Sequence, residues 1–121
     1  MIWVVDDDHA IRFVLEKALA REGLPVRSFA STREVRAALA DEGPPQVLVS
    51  DIRMPGGSGL DLLAELKAQH PGLPVIVMTA FSDLDSAVQA FQGGAFDYLA
   101  KPFDLQRAVE LIRRAMEQSA S

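Results

Sequence analysis

Five polar residues stand at the ends of short apolar runs, where predicted strands finish: Asp6, Asp7, Asp51, Thr79 and Lys101. Carboxylates that share one site repel each other, and a hard divalent cation with oxygen ligands offsets that repulsion. Mg²⁺ in particular is often paired with a phosphate group. An ionised aspartate beside such a cation can act as a nucleophile toward a phosphoryl group. These residue types therefore indicate transfer of a phosphoryl group onto a carboxylate.

Asp51 is the candidate nucleophile, because it ends the apolar run at 47–50 and precedes a turn rich in proline and glycine. In isolation it would more simply be a turn residue, as aspartate often is. Lys101 can hold a phosphoryl oxygen as a point charge, and Thr79 can donate a hydrogen bond to another. The functional interpretation depends on these residues meeting at one place in the fold.

The pattern of the whole chain brings them together. Apolar runs alternate with helix-period segments five times, and the runs lie at 2–5, 26–29, 47–50, 74–79 and 96–100. This alternation predicts an α/β fold, a doubly wound (βα)₅ flavodoxin-like arrangement with a parallel five-stranded sheet in the order 2-1-3-4-5. The carboxyl ends of the strands then share one edge, with a crevice between strands one and three.

Helix boundaries and inward faces follow from caps and spacing. Asp8 is expected to cap helix one, Ser31 and Glu34 form a capping box for helix two, and Ser82 and Asp85 form one for helix four. Helix three is expected to bury Leu62, Leu63 and Leu66. Helix four is expected to bury Leu84, Ala87, Val88 and Phe91. Helix five is expected to bury Leu105, Ala108, Val109, Ile112 and Met116.

Length and composition place limits on the kind of protein. The 121 residues suit one domain, predicted at 1–118 with a frayed tail at 119–121. The absence of cysteine excludes disulfides and thiol catalysis. A net charge of −5 argues against direct binding to nucleic acid or to anionic membranes. No apolar run reaches the roughly 18 residues of a spanning helix, and no signal peptide is apparent, so we expect a cytoplasmic location.

The motifs resemble those of a response-regulator receiver domain of two-component signalling, over essentially the whole chain. They are the acid pair after strand one and the segments at 50–56, 78–80 and 101–103. The segments at 3–8, 82–85 and 94–99 are similar to receivers of the NtrC family, the nitrogen-regulation activators of σ54 transcription.

The resemblance implies a role for each residue around the acceptor. Asp51 would accept the phosphoryl group. Asp7 would ligate Mg²⁺ directly, and Asp6 would act largely through water. The backbone carbonyl of Arg53 would be a further ligand, so its side chain need not enter the site.

It also implies how the site would signal. Thr79 and Tyr98 would form a switch pair, with Tyr98 turning inward when Thr79 is drawn to the phosphoryl group. Lys101 would bind a phosphoryl oxygen, and its peptide bond to Pro102 is expected to be cis. Helix four, with strand five and helix five, would form the output surface.

Two positions depart from the family pattern. Ser58 stands where aspartate is frequent, and it can still cap helix three. Phe81 stands where NtrC-like receivers commonly have histidine, near the mouth of the site. We expect Phe81 to change the access of water or partners to the site, and with it the lifetime of the phosphorylated state.

Partners follow from the resemblance as well. The expected phosphoryl donor is a sensor histidine kinase, and the outputs are an AAA+ ATPase and DNA-binding domains in a longer protein, with a dimer forming on activation. We expect no enzymatic activity beyond assistance to its own phosphorylation and dephosphorylation.

Three alternatives remain. One is a stand-alone receiver in another pathway. A second is a Mg²⁺-dependent phosphatase with an aspartyl nucleophile at Asp6 in the pattern Asp6-x-Asp8, which leaves Asp51 unexplained. A third is a flavodoxin-like carrier of a nucleotide or flavin, which three acids facing a phosphate without metal make improbable.

Overall fold

The computed structural model describes residues 1–54, 57–80 and 83–120. Five strands form one parallel sheet: β1 (Ile2–Val5), β2 (Val26–Phe29), β3 (Val47–Asp51), β4 (Val75–Ala80) and β5 (Asp97–Lys101). Five helices alternate with them: α1 (His9–Arg21), α2 (Thr32–Glu42), α3 (Gly59–Gln69), α4 (Leu84–Gln92) and α5 (Leu105–Ala120). The strand order is β2-β1-β3-β4-β5, as predicted.

The sheet is buried on both faces, which is why its central strands are continuous apolar runs. Successive residues of β1 point to opposite faces, so Trp3 and Val5 join one core cluster while Ile2 and Val4 join the other. The first cluster is covered by α2, α3 and α4, and the second by α1 and α5. The edge strand β2 is only half buried, in agreement with its weaker apolar pattern.

Short polar side chains begin the helices at defined positions. Asp8 caps α1, Ser31 caps α2 and Ser58 caps α3, each by accepting a hydrogen bond from a backbone N–H of the first turn. The prediction for α4 was wrong: its cap is Asp83, which accepts from the Ser86 N–H. Ser82, the predicted partner of Asp85, lies outside the described residues.

The inward face predicted for α4 was right at Ala87 but wrong at its three large apolar residues. Leu84, Val88 and Phe91 are 66%, 47% and 46% exposed. The buried residues of this helix are the small ones, Ser86, Ala87 and Ala90. A helical stripe of large apolar residues therefore lies beside the packed face, and periodicity alone could not tell the two faces apart.

The inward face of α5 is shifted in the same way, though less. Leu105 is exposed, Ala108 and Ile112 are buried as predicted, and Leu111 and Ala115 complete the buried stripe. The helix continues to Ala120, two residues past the boundary predicted at 118, and fraying of its last turn stays a prediction. Among the described residues, no helix is long and apolar enough to cross a membrane.

Candidate functional site

Three carboxylates meet at the carboxyl ends of β1 and β3. Val5 pairs with Ser50 across these two strands, so the next residues along each strand, Asp6 and Asp51, are neighbours. Oxygen atoms of Asp6, Asp7 and Asp51 lie within 4.8 Å of one another. Asp6 and Asp51 are buried and Asp7 is exposed, so the cluster opens to solvent on one side. Oxygen donors at this density suit a hard divalent cation.

Lys101 crosses the end of the sheet to reach this cluster. It ends β5, two strands away from β3, and its Nζ lies 2.7 Å from Asp6 Oδ2 and 3.4 Å from Asp51 Oδ2. The peptide bond from Lys101 to Pro102 is cis, as the sequence led us to expect. One ammonium group thus bridges two carboxylates that are 45 residues apart in sequence, which only the fold could bring together.

Burial makes the charged form of Asp51 costly. Its pKa is raised above that of an ordinary aspartate because burial and the negative charge of Asp6 outweigh the Lys101 ammonium and the Arg53 backbone N–H. Burial by itself lowers the pKa of Lys101, but the hydrogen bond and charge of Asp6, with those of Asp51, raise it overall. A single ammonium therefore leaves the three carboxylates with uncompensated negative charge, which is the electrostatic condition that favours a bound cation.

Asp6 is held in place through three of its atoms. Its Oδ1 accepts from the Asp8 N–H at 2.9 Å, and its Oδ2 accepts from Lys101. Its backbone carbonyl accepts from Arg12 Nη1 at 2.7 Å. Arg12 was not predicted as a site residue, because its spacing from the acids is that of an ordinary helix residue.

The loop after Asp51 is anchored to the start of α3. Arg53–Met54 pairs antiparallel with Gly57–Ser58, and the Gly59 N–H donates to the Ile52 carbonyl at 2.7 Å. A Cβ at position 59 would overlap the Asp51 carbonyl oxygen, so only glycine allows this close approach. The predicted residues Pro55 and Gly56 of this loop, and Phe81 of the next, lie outside the described residues.

Thr79 and Tyr98 lie on the strands β4 and β5, beyond the strand that carries Asp51. Thr79 is buried near the end of β4, one residue beyond Met78, which pairs with Asp51. Tyr98 is exposed on β5 and packs edge to face on Phe91 of α4, with ring centroids 5.7 Å apart. The structure thus groups Asp6, Asp7, Asp51 and Lys101, and it places Tyr98 against the exposed face of α4.

Known proteins are similar to this chain in sequence and in fold. The family model for the response regulator receiver domain matches residues 2–113. The chain is 60% identical over 116 residues to the DNA-binding transcriptional regulator NtrC of Salmonella typhimurium, covering 96% of this chain and 24% of that protein. It therefore spans about a quarter of the length of the curated relatives it matches.

Solved structures of receiver domains have the same fold as this chain. The solution structure of the apo receiver domain of nitrogen regulatory protein C has a TM-score of 0.88 and 58% identity, covering 100% of this chain and 97% of that one. The beryllofluoride-activated NtrC4 receiver domain dimer has a TM-score of 0.89 and 33% identity, covering 98% and 97%. The chain belongs to the response regulator receiver domain family, and it is a receiver of the NtrC type.

Proposed function

We propose that this domain accepts a phosphoryl group from a sensor histidine kinase on the carboxylate of Asp51, and that the modified domain controls an output. The observation that carries the proposal is the meeting of Asp6, Asp7 and Asp51 with the bridging Lys101. Asp51 is a buried carboxylate with a second negative charge and one cation beside it. Its charged form is therefore stabilised by any further group that brings positive charge.

The acidic cluster fits Mg²⁺. Asp7 is exposed and suits a direct ligand, together with Asp51 and the backbone carbonyl of Arg53. Both oxygens of Asp6 already accept hydrogen bonds from the protein, which favours its acting through water. When bound, the cation neutralises the carboxylates and the oxygens of the incoming phosphoryl group.

The transfer needs little chemistry from the protein beyond placement. An oxygen of Asp51 forms a bond to phosphorus while the bond from phosphorus to the donor imidazole nitrogen breaks. The Lys101 ammonium forms an ion pair with one phosphoryl oxygen, and the Thr79 hydroxyl donates a hydrogen bond to another. The domain assists this reaction and the later hydrolysis of its own acyl phosphate, and it transforms no separate substrate.

The output surface is the exposed face of α4 with β5 and α5. Its apolar side chains Leu84, Val88 and Phe91 are continuous with Tyr98, which packs on Phe91. Exposed apolar area of this kind marks an interaction surface. We place the switch here: Thr79 is drawn to the phosphoryl group, Tyr98 turns inward, and the face changes.

The downstream effect is σ54-dependent transcription of nitrogen-metabolism genes through AAA+ and DNA-binding domains of a longer protein. The curated relatives, four times the length of this chain, support that proposal. The NtrC4 receiver, whose activated form is a dimer, supports association of two copies on activation. A stand-alone receiver is the alternative.

The phosphatase alternative is less favoured, because Asp6 lacks the freedom that a nucleophile needs. It is fully buried, and both carboxylate oxygens are engaged by Asp8 and Lys101.

Intact-mass measurement after incubation with acetyl phosphate and Mg²⁺ tests the proposal. We expect a mass gain of about 80 Da, the mass of one phosphoryl group. The gain should be absent when a chelator binds the Mg²⁺ during incubation, and it should be absent in Asp51→Asn. Asp61→Asn, which removes an exposed carboxylate from the first turn of α3, should keep the gain. A gain that survives Asp51→Asn would overturn the proposal, and its transfer to Asp6 would favour the phosphatase.

A further inference from the structure

The side chain of Arg53 leads away from the acidic cluster toward α4. Its Nε donates to Asp83 Oδ2 at 2.8 Å. The backbone of Arg53 belongs to the loop that follows Asp51, whereas its guanidinium is 76% exposed and lies beside the start of α4. One residue therefore joins the loop of the acceptor to a different helix.

Asp83 is the residue that begins α4. Its Oδ1 accepts from the Ser86 N–H at 3.3 Å, and its Oδ2 accepts from the Ser86 hydroxyl at 2.7 Å. The same Oδ2 receives Arg53, so one carboxylate is shared between the helix cap and the ion pair. The pKa of Asp83 is lowered, first by Arg53 and then by Ser86, so the carboxylate is charged at neutral pH. Its side chain is only 15% exposed, which limits its freedom to leave this position.

Among the described residues, few other contacts fix the first turn of α4, one of them the hydrogen bond from the Asp83 N–H to the Ala80 carbonyl at 2.9 Å. The helix packs on the sheet through small side chains, Ser86, Ala87 and Ala90, and its large apolar residues face outward. Small buried side chains supply less apolar contact than leucines do. The position of α4 therefore depends more on its cap and on the ion pair to that cap.

We propose that the Arg53–Asp83 ion pair transmits the state of the acceptor loop to α4, and that Arg53 is a positioning residue of the switch acting through Asp83. The link to metal and phosphoryl binding rests on the proposed function, in which the Arg53 carbonyl is a ligand. When ligand binding moves that carbonyl, the side chain of the same residue moves too, and the ion pair passes the movement to Asp83, the cap of α4.

The strength of the pair is suited to this role. Exposed ion pairs change an equilibrium by no more than about fivefold, which is too weak to decide the stability of a fold. It is enough to bias a local element that exchanges between two arrangements of similar free energy. Because coupling is reciprocal, an ion pair that lets the loop affect α4 also lets α4 affect ligand affinity at the loop.

Hydrogen exchange of the α4 amides tests the proposal. In the free domain, Arg53→Gln should speed exchange in the first turn of α4 about two- to fivefold. This variant keeps the backbone carbonyl that the metal would need. Asp83→Asn should do the same, since asparagine caps a helix as well as aspartate but loses the charge and the second acceptor oxygen that Arg53 uses. The Ser86 hydroxyl, which donates to the same oxygen, exchanges this contact for water in this variant. The double variant should equal either single variant, as expected when both remove one interaction.

Arg36→Gln is the matched control. It breaks the exposed ion pair to Glu65 between α2 and α3, which does not touch α4. Exchange in α4 should be unchanged in this variant. Equal effects of Arg36→Gln and Arg53→Gln, or no effect of Arg53→Gln, would overturn the proposal.

The response to ligand completes the test. With Mg²⁺ and beryllofluoride, the change in α4 exchange should be at least halved in Arg53→Gln relative to the unmodified chain. A full response in this variant would contradict the coupling. If acetyl phosphate gives no Asp51-dependent mass gain, the proposed function fails instead, and exchange in the free domain still decides whether the ion pair positions α4.

Discussion

Helices α3 and α4 occupy equivalent places, each following a strand that ends at the acidic site, yet they are attached to the sheet differently. α3 buries Leu62, Leu63 and Leu66 almost completely. α4 buries alanine and serine and exposes its large apolar residues. The chain thus uses its core packing to fix the helix that supports Asp51. It leaves the next helix with a small buried face and a large exposed apolar surface.

The first turns of the two helices are also held by different kinds of contact. At α3, the backbone of Gly59 is hydrogen-bonded to Ile52 and lies against the Asp51 carbonyl, a contact between main chains. At α4, the cap residue Asp83 is held from outside by the exposed Arg53. A main-chain contact has little freedom to change, whereas a surface ion pair can be made and broken at low cost. Asp51, the proposed acceptor, is therefore supported by main-chain contacts, and the helix beside it is held by a surface ion pair.

The largest expected effect compares two leucines. Leu62→Ala should lower the free energy of unfolding by about 2–5 kcal/mol, because it removes a buried side chain and leaves a cavity. Leu84→Ala removes the same atoms from the solvent side of α4 and should change it by no more than about 0.5 kcal/mol. Urea denaturation measures both. Similar losses for the two variants would mean that α4 is packed as α3 is.

Glycine 59 offers the next test. Gly59→Ala should destabilise the domain by about 1–3 kcal/mol, since the added Cβ meets the Asp51 carbonyl and something must shift. Because that shift moves Asp51, the proposed acceptor, the rate of phosphorylation by acetyl phosphate should fall as well. Gly72→Ala is the control, with open space around the added atom. Unfolding and mass-shift kinetics check both variants, and a phosphorylation rate unaffected in Gly59→Ala would show that the contact does not position Asp51.

The sequence predicted the sheet, its order and the meeting of the acids, because strand ends in a parallel sheet share one edge whatever the loops do. It failed on the face of α4. Leu84, Val88 and Phe91 repeat at helical spacing, and that spacing is the same whether the stripe meets the core or a partner. Only the packing of Ala87 and Ala90 against the sheet shows which face is inside.

The contacts around the site were predictable only in part. Asp51 and Lys101 were identified from residue type and place, but the hydrogen bond from Arg12 to Asp6 was not. The pair between Arg53 and Asp83 joins residues 30 apart whose side chains are ordinary surface charges in sequence. Such contacts depend on how far a long side chain reaches and in which direction, and no local pattern records that.

A smaller effect should appear when the charge of Asp51 is removed. The raised pKa of Asp51 means that its ionised form is less stable in the folded state than in the unfolded chain, so this charge costs stability above that pKa. Asp51→Asn should therefore stabilise the metal-free domain at pH 7 by about 0.5–2 kcal/mol, the usual size of a stabilising substitution. Thermal unfolding with a chelator present measures it. Asp61→Asn should be close to neutral, and a loss of stability in Asp51→Asn would show that Lys101 already compensates the charge.

The smallest expected effect concerns the outer side of α3, where Arg36 donates two hydrogen bonds to Glu65, at 2.8 and 2.9 Å. These hydrogen bonds lower the pKa of Glu65, so the pair adds stability above the pKa of an unfolded glutamate and loses it as the pH falls through the lower folded value. Glu65→Gln should cost about 0.2–1 kcal/mol at pH 7, as exposed pairs do, and the difference should narrow steadily as the pH falls below about 4. Urea denaturation from pH 7 to 3 measures it. If the stability difference between Glu65→Gln and the unmodified domain grew as the pH fell, a stabilising ion pair between Arg36 and Glu65 would be contradicted. A loss at pH 7 as large as that of Leu62→Ala would mean that α3, like α4, depends on surface charge for its position.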